Sequence, residues 1–65
     1  MEIGTITDSH IKAITRNLRA SYGAGITEDL VNAEIDKLKQ GEQPTNIIGM
    51  FTKGMLEDAG LITGG

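Results

Sequence analysis

The sequence predicts an all-α fold, a compact three-helix bundle with short loops and a short N-terminal arm. Three observations predict it. Apolar residues recur at helical spacing in three separate stretches, each stretch is bracketed by residues that start and stop helices, and the breaks at Gly23 to Gly25 and Gly41 to Gln43 are short enough to keep successive helices side by side.

Residues 1–7 read as an extended arm: Gly4 interrupts a short mixed segment whose Ile3 and Ile6 are placed to rest on the bundle, with disorder expected at the tip. Thr7 or Asp8 caps the first helix through a side-chain oxygen, and Ile11, Ile14, Leu18 and Tyr22 then recur at i, i+3, i+7 and i+11, giving a helix over 8–22. Lys12, Arg16 and Arg19 form a basic stripe on its flank, with Asp8 four residues before Lys12 as a surface pair. Glycines at 23 and 25 free the backbone for a tight turn.

The second helix, 27–40, is the best marked. Thr27 is its N-cap, Glu28 and Asp29 put negative charge at the positive end of the helix dipole, and Ile26 sits where a hydrophobic staple meets Val31. Leu30, Val31, Ile35 and Leu38 are expected on its inner face, and Gly41 ends it.

The third helix, 44–59, starts at Pro44, whose φ is preset for a first turn, and stops before Gly60, where a Schellman arrangement would bring Leu61 back onto Leu56. At about 100° per residue, Ile47, Ile48, Phe51, Met55, Ala59 and Ile62 share one arc opposite Asn46, Lys53 and Glu57. Asp58 falls within that arc, either as a last-turn carboxylate reaching water or as a partner for Lys12, Arg16, Arg19 or His10. The bundle spans 8–62, and 63–65 is expected to be a flexible tail. The expected core is Ile11, Ile14, Leu18, Tyr22, Ile26, Val31, Ile35, Leu38, Ile48, Phe51 and Met55.

Composition narrows the function. A chain of 65 residues makes one domain at most and buries only about 60% of its unfolded surface, so association would help it. Without cysteine it has no disulfide, thiolate zinc site or cysteine nucleophile, which fits a reducing compartment and a cytoplasmic location. One histidine and scattered carboxylates argue against a metal centre within one chain, and no cofactor is inferred. A net charge of −3 disfavours nucleic acid as the partner. No apolar run approaches the length of a membrane span, and the first residues lack a signal-peptide pattern, so a soluble, unexported protein with no membrane partner is expected.

Four short segments resemble functional motifs. Asp8-Ser9-His10-Ile11 resembles the phosphopantetheine attachment site of acyl carrier proteins, but the full helix that precedes that serine is missing; a helix cap accounts for it. The ending Leu61-Ile62-Thr63-Gly64-Gly65 resembles the diglycine tail of ubiquitin-like modifiers, without their strand pattern. The first two helices and their turn have the outline of a helix-turn-helix, yet the recognition helix would begin Thr27-Glu28-Asp29, with carboxylates where phosphates would lie. Asp8, Ser9 and His10 are neighbours at one helix start and cannot adopt triad geometry, so no catalytic residue is inferred.

Taken together, Ile14-x3-Leu18-x3-Tyr22, Ile26-Thr27-Glu28, Val31-x3-Ile35-x2-Leu38 and Ile48-x2-Phe51-x3-Met55 resemble the small three-helix-bundle dimerisation domain found alone or ahead of arsenate-reductase-like and low-molecular-weight phosphatase domains. The sequence departs from that pattern at Gly49 and Gly54 and carries no catalytic domain. The resemblance implies an association module without chemistry of its own.

The expected function is therefore a non-catalytic protein-protein interaction or dimerisation module, the alternative being a small helix-turn-helix-like DNA-binding regulator. The third helix is more apolar than one bundle face needs, a width used up either by two helices packing on it or by an intermolecular contact, and its internal glycines each cost roughly 1 kcal/mol relative to alanine, which close approach of another backbone would offset. Ile47, Met50, Gly54 and Leu61 are the expected interaction surface, a second copy of the chain is the expected partner, and the basic stripe is a solvated face, the alternative being a surface for an acidic segment.

Overall fold

In a computed structural model that describes residues 2–63, the chain forms three helices and one small antiparallel strand pair in the order β1 (Glu2–Ile3), α1 (Asp8–Tyr22), α2 (Glu28–Lys39), α3 (Ile47–Asp58) and β2 (Ile62–Thr63). This is the expected all-α three-helix bundle. The expected disorder at the arm's tip and the glycines of the tail lie outside the described residues.

Local chemistry sets the helix ends. Thr7 precedes α1 in extended conformation, and its backbone N–H donates to His10 Nδ1 at 3.0 Å, so an imidazole fills the place that glutamate takes in a capping box. At the other end Gly23 (φ 105°) donates to the Arg19 carbonyl. Thr27 caps α2, its Oγ1 accepting from the Leu30 N–H at 3.3 Å. Both α2 and α3 close in Schellman motifs. Gly41 (φ 83°) and Glu42 donate to the carbonyls of Leu38 and Lys37; Gly60 (φ 74°) and Leu61 donate to those of Glu57 and Leu56.

The core consists of Ile14, Leu18, Ile26, Val31, Ile35, Leu38, Leu56 and Ile62, with Ile3, Ile6, Ile11, Ile48, Phe51, Met55 and Leu61 half-buried against it. α2 lies between its neighbours in the chain and packs most extensively on α3. The arm is more than an extended segment: Glu2 pairs with Thr63 and Ile3 with Ile62, and the Gly4 N–H donates to the Leu61 carbonyl at 2.7 Å. Thr63, expected in a flexible tail, is thus the outer residue of a ladder, and Ile62, expected on a helical arc, is a buried strand residue.

Two further expectations about α3 need correction. It begins at Ile47, three residues after Pro44, because Asn46 supplies a cap, accepting the Gly49 N–H on Oδ1 at 2.8 Å. Its buried face is Gly49, Thr52 and Leu56, while Ile48, Phe51 and Met55 stand half-buried beside it. The helix is turned by about one residue, roughly 100°, from the expected orientation. Gly49 faces inward where α2 brings the buried Glu34 carboxylate against it. Tyr22 and Leu30, expected inside, are exposed at 51% and 42%.

Candidate functional site

Turning α3 this way places Ile47, Met50 and Gly54, at i, i+3 and i+7, on the flank away from the core. Ile47 is 55% and Met50 64% exposed, the two most exposed large apolar side chains among the described residues. Gly54, one turn beyond Met50, is partly exposed, and a Cβ built on it meets nothing within 4 Å. Phe51 borders this flank, its ring meeting the edge of Tyr22 at 89° and 6.4 Å between centroids, so an aromatic pair joins the end of α1 to α3. Leu61 is separate from them in the chain. It lies beyond the helix, half-buried, with Cδ2 3.5 Å from where a Cβ on Gly4 would stand, and serves the strand pair and the core.

The basic stripe divides. Arg19 is committed to the fold, its Nε–H donating to the Ile26 carbonyl at 2.6 Å and tying α1 to the turn before α2. Lys12 and Arg16 are exposed and, with Ser9 and Ala13, line a shallow depression on one face of α1. Among the described residues the ion pair is Lys37 with Glu34, so neither the Asp8–Lys12 pair nor a partner for Asp58 forms.

A polar cluster that the sequence reading did not single out lies between α2 and α3. Glu34 is 7% exposed. Its Oε2 accepts from Lys37 Nζ at 3.2 Å and Asn46 Nδ2 at 3.4 Å, and Oε1 lies 2.5 Å from where a Cβ on Gly49 would stand. The carboxylate therefore sits at the first turn of α3, where backbone N–H groups and the helix dipole favour negative charge. A sequence signal existed: Val31, Glu34, Ile35 and Leu38 occupy i, i+3, i+4 and i+7, so the glutamate stands in a core position of α2. Lys37 covers it, Asn46 caps the receiving helix, and Gly49 leaves it room. That chemistry joins elements of the fold.

No group of three or more potential metal ligands occurs among the described residues, and none of their helices is long and apolar enough to cross a membrane. His10 Nδ1, hydrogen-bonded at the α1 cap, is part of the helix start. No family model, curated protein or solved structure matches the chain, and nothing links it to arsenate-reductase-like or phosphatase domains.

Proposed function

We propose that this chain is a non-catalytic association module that forms a homodimer through the outer flank of α3. The observation that carries the reading is the exposure of Ile47 and Met50 on one side of a helix whose opposite side is the core. Two large apolar side chains one turn apart, continued by Gly54 and bordered by the Phe51–Tyr22 pair, form a contiguous surface of the kind that marks protein contacts. Methionine suits such a surface because its unbranched thioether adapts to a partner. The small size of the chain adds a motive, since a core of eight buried side chains leaves stability to be gained from association. The cytoplasm is part of the proposal, on the strength of a cysteine-free sequence.

Sedimentation equilibrium across the micromolar range tests it. The parent chain is expected to show a monomer–dimer equilibrium, and Met50→Glu to sediment as a folded monomer, because a carboxylate there is solvated in the monomer and would have to shed its water to enter the contact. A parent chain that stays monomeric at high micromolar concentration would refute the homodimer. Retardation of random duplex DNA at low salt by that monomer would favour the DNA-binding alternative, with Lys12 and Arg16 as the phosphate contacts.

A further inference from the structure

Resting on the homodimer reading, we infer that the two copies of α3 pack antiparallel, with Met50 of each seated over Gly54 of the other. Two independent features of the helix point to this arrangement.

The first is Gly54. Both internal glycines of α3 lower helix propensity, and Gly49 has a reason within the chain: a side chain there would meet the Glu34 carboxylate and Pro44. Gly54 has none, since a Cβ at that position would meet nothing within 4 Å. It leaves a dent on the same flank from which Met50 projects four residues earlier. A knob and a hole of matching kind, about 6 Å apart along one helix, are self-complementary under a two-fold axis between them.

The second feature is charge. α1 carries Asp8 in its first turn and Arg19 in its last, and α2 carries Glu28 and Asp29 in its first turn and Lys37 and Lys39 in its last, as their dipoles favour. α3 has no acidic residue in its first turn and no basic residue in its last; it ends instead in exposed Glu57 and Asp58, the wrong sign for its own C-terminus. Its single cation, Lys53, lies toward the edge of the flank. With Met50 over the partner's Gly54, residues 57 and 58 of each copy fall beside residues 47 and 46 of the other, at the positive end of the partner helix. Glu34 approaches that end from the buried side and leaves the Ile47 side open. A parallel dimer through the same flank would instead bring the four carboxylates of both copies together.

Single cysteines test the direction, since the chain has none of its own. At a rise of about 1.5 Å per residue, two Ile47→Cys positions are about 15 Å apart along the axis of an antiparallel pair, beyond the roughly 7 Å that a disulfide spans. An equimolar mixture of Ile47→Cys and Glu57→Cys chains, oxidised gently, is expected to give mainly the mixed disulfide. Predominance of the Ile47→Cys homodimer, with sedimentation still showing a dimer that Met50→Glu dissociates, would overturn the antiparallel arrangement and leave the homodimer standing. Absence of any parent dimer would overturn both. As a second measurement, Gly54→Gln should weaken dimerisation at least about tenfold while raising the melting temperature at concentrations where the chain is monomeric; unchanged dimerisation in that variant would remove Gly54 from the contact and overturn the inference.

Discussion

At Gly49 an added Cβ would stand 2.5 Å from Glu34 Oε1 and 3.1 Å from Pro44 Cβ, and neither neighbour yields easily: the carboxylate is held by Lys37 and Asn46, and the proline ring is rigid. Gly49→Ala is therefore expected to destabilise the chain by about 1–3 kcal/mol despite its better helix propensity, measured as a lower urea midpoint. Gly54→Ala should raise the midpoint, by up to about 1 kcal/mol, in dilute solution where association does not contribute. Two glycines in one helix thus respond with opposite signs because only one has a neighbour. Thr52 poses a different question. It is fully buried and its Oγ1 has no hydrogen-bond partner, whereas Thr15, also buried, donates to the Ile11 carbonyl at 2.8 Å. Thr52→Val keeps the shape and removes an unpaired hydroxyl, so a gain of about 1 kcal/mol in urea unfolding is expected. A loss would mean that the hydroxyl finds a partner in solution.

Among the elements, α1 and α2 were legible in their bounds and α3 was not legible in its facing. Thr7, Thr27, Gly23 and Gly41 are local signals, each acting within a few residues, and the sequence displays them directly. The facing of α3 is decided by α2. Its apolar residues surround most of the helix, so hydrophobic spacing admits several orientations, and the one adopted turns Gly49 and Thr52 inward because Glu34 must reach the first turn. A glycine and a threonine on a core face give no hydrophobic signal. The expected core changes accordingly: Leu56, not among it, is buried, and Phe51 only partly so. Leu56→Ala is expected to cost about 2–5 kcal/mol and Phe51→Ala clearly less; equal losses in denaturant titration would contradict the orientation of α3. Asn46, a polar edge by its spacing, is the cap; Asn46→Ala should cost about 1–2 kcal/mol because the same side chain also donates to Glu34. Of the candidate surface, Ile47, Met50 and Gly54 share a flank, whereas Leu61, which continued helical spacing would put beside Met50, is drawn toward Gly4 by a strand pair that two residues per side are too few to announce.

For the molecule as a whole, a radius of gyration of 10.8 Å matches the roughly 10.7 Å of a close-packed chain of this length, so the three helices and the strand pair fill their volume without a separate appendage. The strand pair gives that packing its closure. Ile62 is buried in the core while its register partner Ile3 is half-buried against it, so each end of the described chain is held by contact with the other.

That ladder also makes the topology nearly circular. Glu2 faces Thr63 across two strands, which places the ends of the described chain about 5 Å apart. A short glycine-serine linker should therefore join them without distortion, and new termini opened in the exposed turn between Gly23 and Gly25 should give a permuted chain with the same helices in the order α2, α3, α1. The same closeness means that the bundle could be spliced into a surface loop of another protein while barely spreading the loop's two stems, presenting the Ile47–Met50 flank as a portable insert.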